Sequence, residues 1–198
     1  MIYGLLDTEM TCDGKQEDGK FIDDGRMKHM QREIIEVGFV VCDDKYNIKS
    51  KYSSFVKPVH NTIITDYCEK LTGITQHDVD CGKKCNNAFR DIREMCERYS
   101  VDYIFTFGNG DKDRIMSSIK WIRKQKEKVN NLYVISEKII DVRSAILKGI
   151  DCKNYRTSPS LSKLAEKLEV KIKGEQHNAL NDAFLLYKIC RKLNIQVD

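Results

Sequence analysis

Only two prolines and one tryptophan occur among the 198 residues. So little proline excludes a Pro-rich linker architecture, and neither an internal repeat nor a low-complexity segment divides the chain. No apolar run approaches the ~20 residues that a membrane-spanning helix needs. The N-terminus lacks a basic region followed by an apolar core and a small-residue cleavage site, so the expectation is a cytoplasmic protein. The pattern G-x-x-x-x-G-K-[ST] is absent, which excludes a phosphate-loop nucleotide hydrolase. Charge of one sign is nearly balanced: 34 Lys+Arg against 30 Asp+Glu leave a net +4. That is compatible with a polyanionic partner without arguing strongly for one.

Cysteine is plentiful. Cys12, Cys42, Cys68, Cys81, Cys85, Cys96, Cys152 and Cys190 are spread through helix-like and strand-like patterns. With no secretion signal, they read as free thiols in a reducing compartment. Cys81 and Cys85 are the only close pair, and no second pair with zinc-ligand spacing accompanies them. The length suits one domain, residues 1–198, with one substantial core.

What the chain does have begins near its start. Ile2-Tyr3-Gly4-Leu5-Leu6 reads as a buried strand, and Asp7 and Glu9 follow it. Side chains two apart on a strand share a face, so the two carboxylates sit side by side. Like charges that close need a cation or a proton between them. A hard divalent ion such as Mg²⁺ is one relief; an acidic surface turn is the plain alternative. Residues 13–30 are polar and glycine-spaced and predict a long loop, either flanking a substrate cleft or a simple insertion.

Glu33–Val41 is strongly β-prone, and a turn at Asp43–Asn47 leads to Ile48–Val56, which predicts an antiparallel hairpin. A short helix fits Thr65–Leu71, ended by Gly73, with Thr75 capping another turn. Helical spacing covers Asn86–Tyr99. Tyr103–Phe107 is a strand stopped by Gly108-Asn109-Gly110, and a helix fits Asp111–Val129. Leu132–Val142 contains a further strand, and helices fit Ser160–Leu168 and His177–Leu193. The order predicts an α/β fold, a mixed five-stranded sheet flanked by helices.

Three further residues can complete the Asp7/Glu9 pair. Asp111 stands at a strand-to-helix junction after a glycine turn, where side chains commonly reach a cleft. His177 and Asp182 stand about one and a half turns apart at the start of the last helix. Asp182 lies among Ala179, Ala183 and Leu186, where an unpaired buried carboxylate is costly and a metal would neutralise it. Asp113 is a rival to Asp111, read instead as decoration of the helix dipole.

Asp7-Thr8-Glu9, Phe107-Gly108-Asn109-Gly110-Asp111 and His177…Asp182 resemble, in order and spacing, the motifs of the DEDDh 3′→5′ exonucleases, which have a ribonuclease-H-like fold. Asp7–Cys12, Glu33-Ile34-Ile35-Glu36 and Lys70–Thr75 are similar to the branch containing the histone-mRNA 3′ exoribonucleases and the bacterial sporulation inhibitor KapD. The resemblance covers nearly the whole chain. It departs at Asn109 and Gly110, where the family usually carries an acid and an aromatic residue, and it leaves no room for the extra nucleic-acid-binding domain of some relatives.

The resemblance implies two divalent metal ions, Mg²⁺ or Mn²⁺. Asp7 bridges them, Glu9 and Asp182 bind the nucleophile-side ion, Asp111 supports the other, and His177 accepts the proton of the attacking water. It further implies that Met10 and Leu71 sandwich the terminal base and that Thr72, with backbone near Glu9, holds the sugar. The lysines of Lys120–Lys128 either track phosphates or form a solvated helix face. The expected activity is hydrolysis at the 3′ end of single-stranded nucleic acid, RNA ahead of DNA, releasing nucleoside 5′-monophosphates. The alternatives are a proofreading or repair exonuclease acting on DNA, and a nucleic-acid-binding regulatory protein acting through partners.

Overall fold

The computed structural model describes residues 1–13, 15–17, 20–22, 32–150, 159–171 and 177–197. Strand β1 (Ile2–Met10) is central to the main sheet, because Tyr3, Leu5 and Leu6 are each fully buried and serve both of its faces. It pairs antiparallel with β4 (Ile34–Asp43), in a register that sets Asp7 opposite Gly38 and Glu9 opposite Glu36, with an irregularity between Glu9 and Met10. β4 turns back into β5 (Ile48–Lys57). That turn is held by Asp43, whose carboxylate accepts from the amides of Lys45 and Asn47.

On the other side of β1 lie β7 (Tyr103–Thr106) and then β8 (Ile139–Asp141), both parallel to their neighbours. The sheet is mixed, as expected, but six-stranded: β6 (Lys83–Lys84) adds a two-residue edge pairing beside β5, too short to leave a hydrophobic pattern. Between β1 and β4, β2 (Lys15–Glu17) and β3 (Lys20–Ile22) form a separate two-stranded hairpin. The rest of the expected 13–30 loop lies outside the described residues.

One face of the sheet is covered by α3 (Cys85–Tyr99), α4 (Gly110–Lys124) and α5 (Asn130–Lys138), which bury Phe89, Ile92, Ile115, Ile119, Leu132 and Ile135 against Leu6 and Phe39. The other face carries α6 (Arg143–Gly149), α7 (Leu161–Lys167) and α8 (Ala179–Leu193) over Tyr3, Leu5 and Val40. A smaller cluster joins Cys12 and Ile35 to α1 (Asp66–Thr72) and α2 (Gln76–Asp80). Thr65 and Thr75 cap these two helices, and Gly73 ends α1 in the left-handed conformation at φ 72°, where glycine meets no steric penalty.

Helix α6 has no counterpart in the expected order, and two boundaries on the first face differ from expectation. Helix α4 stops at Lys124, because residues 123–128 are all polar and give it no further apolar face; Lys126 takes a positive φ of 59°, and Val129 is buried beyond the turn. The expected strand in Leu132–Val142 shrinks to Ile139–Asp141, since Leu132, Ile135 and Ile139 recur at helical spacing and α5 claims most of the stretch. Among the described residues seven cysteines are free, and Cys85 is buried while Cys81 is exposed, so the close pair does not act together. No described helix is long and apolar enough to cross a membrane.

Candidate active site

The end of β1, the start of α4 and the start of α8 meet at one place. The β7–α4 turn carries Asp111. Gly108, at φ 97°, makes the turn, and its amide donates to Asp141 at the end of β8 (2.8 Å). A Cβ on Gly108 would lie 2.0 Å from the Arg143 guanidinium, which itself donates to the Phe107 carbonyl and stacks on the Phe107 ring. Asp111 is then tied to β1: the amide and hydroxyl of Thr8 both donate to its Oδ1, at 3.0 and 2.7 Å. Asp113 is exposed, so its place as a bystander agrees with its register.

Helix α8 approaches equally closely. A Cβ on Gly38 would fall 2.2 Å from the Ala179 carbonyl, so only glycine lets the helix start lie on β4. Glu36 holds it there: its buried carboxylate accepts from Ser53 Oγ (3.1 Å), Asn178 Nδ2 (3.0 Å) and the Ala179 amide (2.9 Å). Asn178 caps α8, accepting from the Asn181 amide. The helix therefore begins two residues later than expected. His177 sits outside it, exposed, at φ 62°, with its amide donating to Asp182 Oδ2 (3.2 Å).

The result is a crowd of acids. Ligand atoms of Glu9, His177 and Asp182 lie within 4.8 Å of one another, which makes them the group placed to hold a metal ion among the described residues. Burial, followed by repulsion from Asp111, Glu9, Asp182 and Glu36, holds the Asp7 carboxyl well above its ordinary range. Glu9 is pushed to about 8, by burial first and then by Asp182, Glu36 and Asp111. Burial raises Asp111 to about 6 against the two Thr8 hydrogen bonds, and raises Asp182 against the favourable charge and amide of His177.

None of the ion pairs among the described residues reaches these four carboxylates. Concentrated negative charge with hard oxygen donors, met among the described residues by no Lys or Arg ion pair, fits a divalent ion of the Mg²⁺ or Mn²⁺ kind.

The remaining expected residues lie on the α1 side. Met10 ends β1 and Leu71 lies on α1; both are partly exposed, and Leu71 packs on the small cluster around Cys68. Thr72 is buried, its hydroxyl donating to the Cys68 carbonyl (2.8 Å) and accepting from the Ile74 amide (3.1 Å). Sequence reasoning missed Thr8 and Glu36 as parts of the site. Glu36 carried a signal, an acid inside an otherwise apolar strand; Thr8 carried none beyond its place between two acids.

The family model described as "Exonuclease" matches residues 5–190. The Bacillus subtilis (strain 168) protein described as "Probable 3'-5' exonuclease KapD" is 29% identical over 191 residues, covering 93% of this chain and 80% of its own length. Homo sapiens "3'-5' exoribonuclease 1" is 24% identical over 96% of this chain, and the chain spans 51% of it. Among solved structures, a 3'-exonuclease bound to histone mRNA stem-loop superposes with TM-score 0.79 at 20% identity, over 98% of this chain and 63% of that one. The nuclease domain of 3'hExo, a DEDDh family member bound to rAMP, gives 0.75 at 21% over 96% and 90%. These likenesses establish the ribonuclease-H-like fold.

Proposed function

From the premise that this chain belongs to the exonuclease family, whose pattern covers residues 5–190, we propose that it is a metal-dependent 3′→5′ exonuclease acting on single-stranded ends. RNA is favoured over DNA, and nucleoside 5′-monophosphates are released. The observation that carries the reading is the convergence of Asp7, Glu9, Asp111 and Asp182, from three separate elements, beside His177. Asp7, Glu9, Asp111 and Asp182 would hold a pair of divalent ions. Such a pair, when bound, supplies charge relief to the attacking and leaving oxygens of an in-line displacement.

The chain's own residues do the rest. Thr8 donates twice to one oxygen of Asp111 and so fixes that carboxylate beside the end of β1. Glu36 fixes the start of α8, so that Asp182 is presented from a rigid helix and His177 from the turn before it. His177, exposed and acceptor-capable, takes the proton of the attacking water. Met10 and Leu71 flank the terminal base and Thr72 borders its sugar; a closed end of this kind restricts attack to the last nucleotide.

Support for RNA comes from the exoribonuclease relatives and the stem-loop complex. The test is product analysis on end-labelled single-stranded RNA, stem-loop RNA and DNA in parallel, with Mg²⁺, Mn²⁺ or chelator. Stepwise release of monophosphates from the RNA 3′ end is expected. Intact strands with both metals would overturn the reading.

A further inference from the structure

Helix α4 begins at the metal-binding acids and carries something else along the same side. From Asp111, helical spacing brings Arg114, Ser118, Trp121 and Gln125 onto one face. Ser118, Trp121 and Gln125 line a groove whose opposite wall is Glu33, Lys57 and Val59. Beside Trp121 the groove is narrow, about 20 Å³; it widens past Thr62 and Lys84, away from Trp121, to about 310 Å³, within the range of ligand-binding clefts. Trp121 lies some ten residues, ~15 Å along the helix axis, from Asp111.

The charges in and around this groove favour an anion. Glu33 gives its two oxygens to the amides of Val59, His60 and Asn61, which fixes the loop wall and distributes its charge over donors. Glu127 is neutralised by Lys84. Among the described residues Lys57 donates to a carbonyl, that of Asp80. Outside the lining of the groove, one turn from Asp111, Arg114 is half-buried, and its Nε has no hydrogen-bond partner among the described residues. Trp121 offers a flat ring, held edge-on by His60 (centroids 4.8 Å apart) and attended by Lys124 4.3 Å above it. Cations beside an aromatic surface are the usual means of holding a single strand without reading its sequence.

We infer that this face of α4 is a track for the body of a single-stranded nucleic acid, with Arg114 meeting a phosphate near the acids and Trp121 stacking on a base farther upstream. The inference rests on the exonuclease reading for the polarity of the strand, not for the existence of the groove. A packed Trp–His pair with no ligand is the plain alternative, and an acidic peptide the rival occupant.

Trp121 is the sole tryptophan of the chain, so its emission reports on this groove alone. The titration uses single-stranded RNA of about eight nucleotides against the full chain carrying Asp7→Asn. Quenching is expected, weakening as salt rises, with a salt slope lowered by about one in Arg114→Gln. In the active enzyme, the KM advantage of the longer strand over a dinucleotide should shrink about tenfold in Trp121→Ala and largely persist in Trp121→Phe. Cleavage of the long strand with emission indifferent to it, or an undiminished length advantage in Trp121→Ala, overturns the track. An acidic peptide that quenches while RNA does not overturns it equally. Quenching by RNA that the enzyme never cleaves sinks the exonuclease reading instead and leaves the track standing.

Discussion

Replacing Glu9 with glutamine separates the cost of the acidic cluster from its use. In the metal-free protein the Glu9 carboxyl is raised from 4.5 to about 8, chiefly by burial. A carboxyl that holds its proton more tightly folded than unfolded takes stability away as pH rises. The loss begins near 4.5, where the unfolded chain ionises, and is complete near 8, where the folded one does. At ~1.4 kcal/mol per pH unit the whole span is worth at most ~5 kcal/mol, and solvent access to Glu9 reduces the expected value to ~2–3 kcal/mol. Glutamine stays neutral throughout and escapes the loss. At ~2–4 °C per kcal/mol for a chain of this size, Glu9→Gln in chelator should melt ~5–10 °C above the parent at pH 8 and close to it at pH 4.5. Adding Mg²⁺ reverses the order, because saturating ligand stabilises the parent by ~2.7 kcal/mol at a hundred times Kd and the variant by less. Nuclease activity should fall by about a hundredfold or more. Thermal melts at the two pH values, with and without metal, are the assay. A variant that melts below the parent at pH 8 in chelator, or an offset that ignores pH, refutes the reasoning.

His177→Asn should lower kcat by about 10²–10⁴ while keeping the Mg²⁺-induced rise in melting temperature, which single-turnover rates and melts together would check. Thr8→Val removes the hydroxyl bond to Asp111, so its carboxyl, already at about 6, rises further. The Mg²⁺ concentration for half-maximal activity should then increase several-fold, for about 1 kcal/mol of lost stability. Gly38→Ala drives a methyl into the Ala179 backbone. It should cost ~1–3 kcal/mol and reduce activity beyond that loss, because His177 and Asp182 move with α8; melts and kcat measured on one preparation separate the two effects.

Much of this was legible before any coordinates. The alternating and helical periods placed the strands β1, β4, β5 and β7 and the helices α1, α3, α4, α7 and α8, but not α5 (Asn130–Lys138) or α6 (Arg143–Gly149). The cap at Thr75, the glycine stop at Gly73 and the candidacy of the acids at positions 7, 9, 111 and 182 all follow from local chemistry and spacing. Local rules left Asp111 and Asp113 equal in the first turn of α4; register with the family motif chose Asp111, which the fold ties to Thr8 while Asp113 is exposed. Where apolar residues recurred at both periods, as in Leu132–Val142, the period alone did not divide helix from strand, and packing against α3 decided it.

The amino-acid order by itself determined which groups are available: four carboxylates, an imidazole and the turns that leave them at the ends of elements. Tertiary structure alone decided that they share one site. Thr8 reaching Asp111 across 103 positions, and Glu36 reaching Ala179 across 143, are contacts that no local pattern encodes. They depend on strand register and on a glycine letting a helix lie against a sheet.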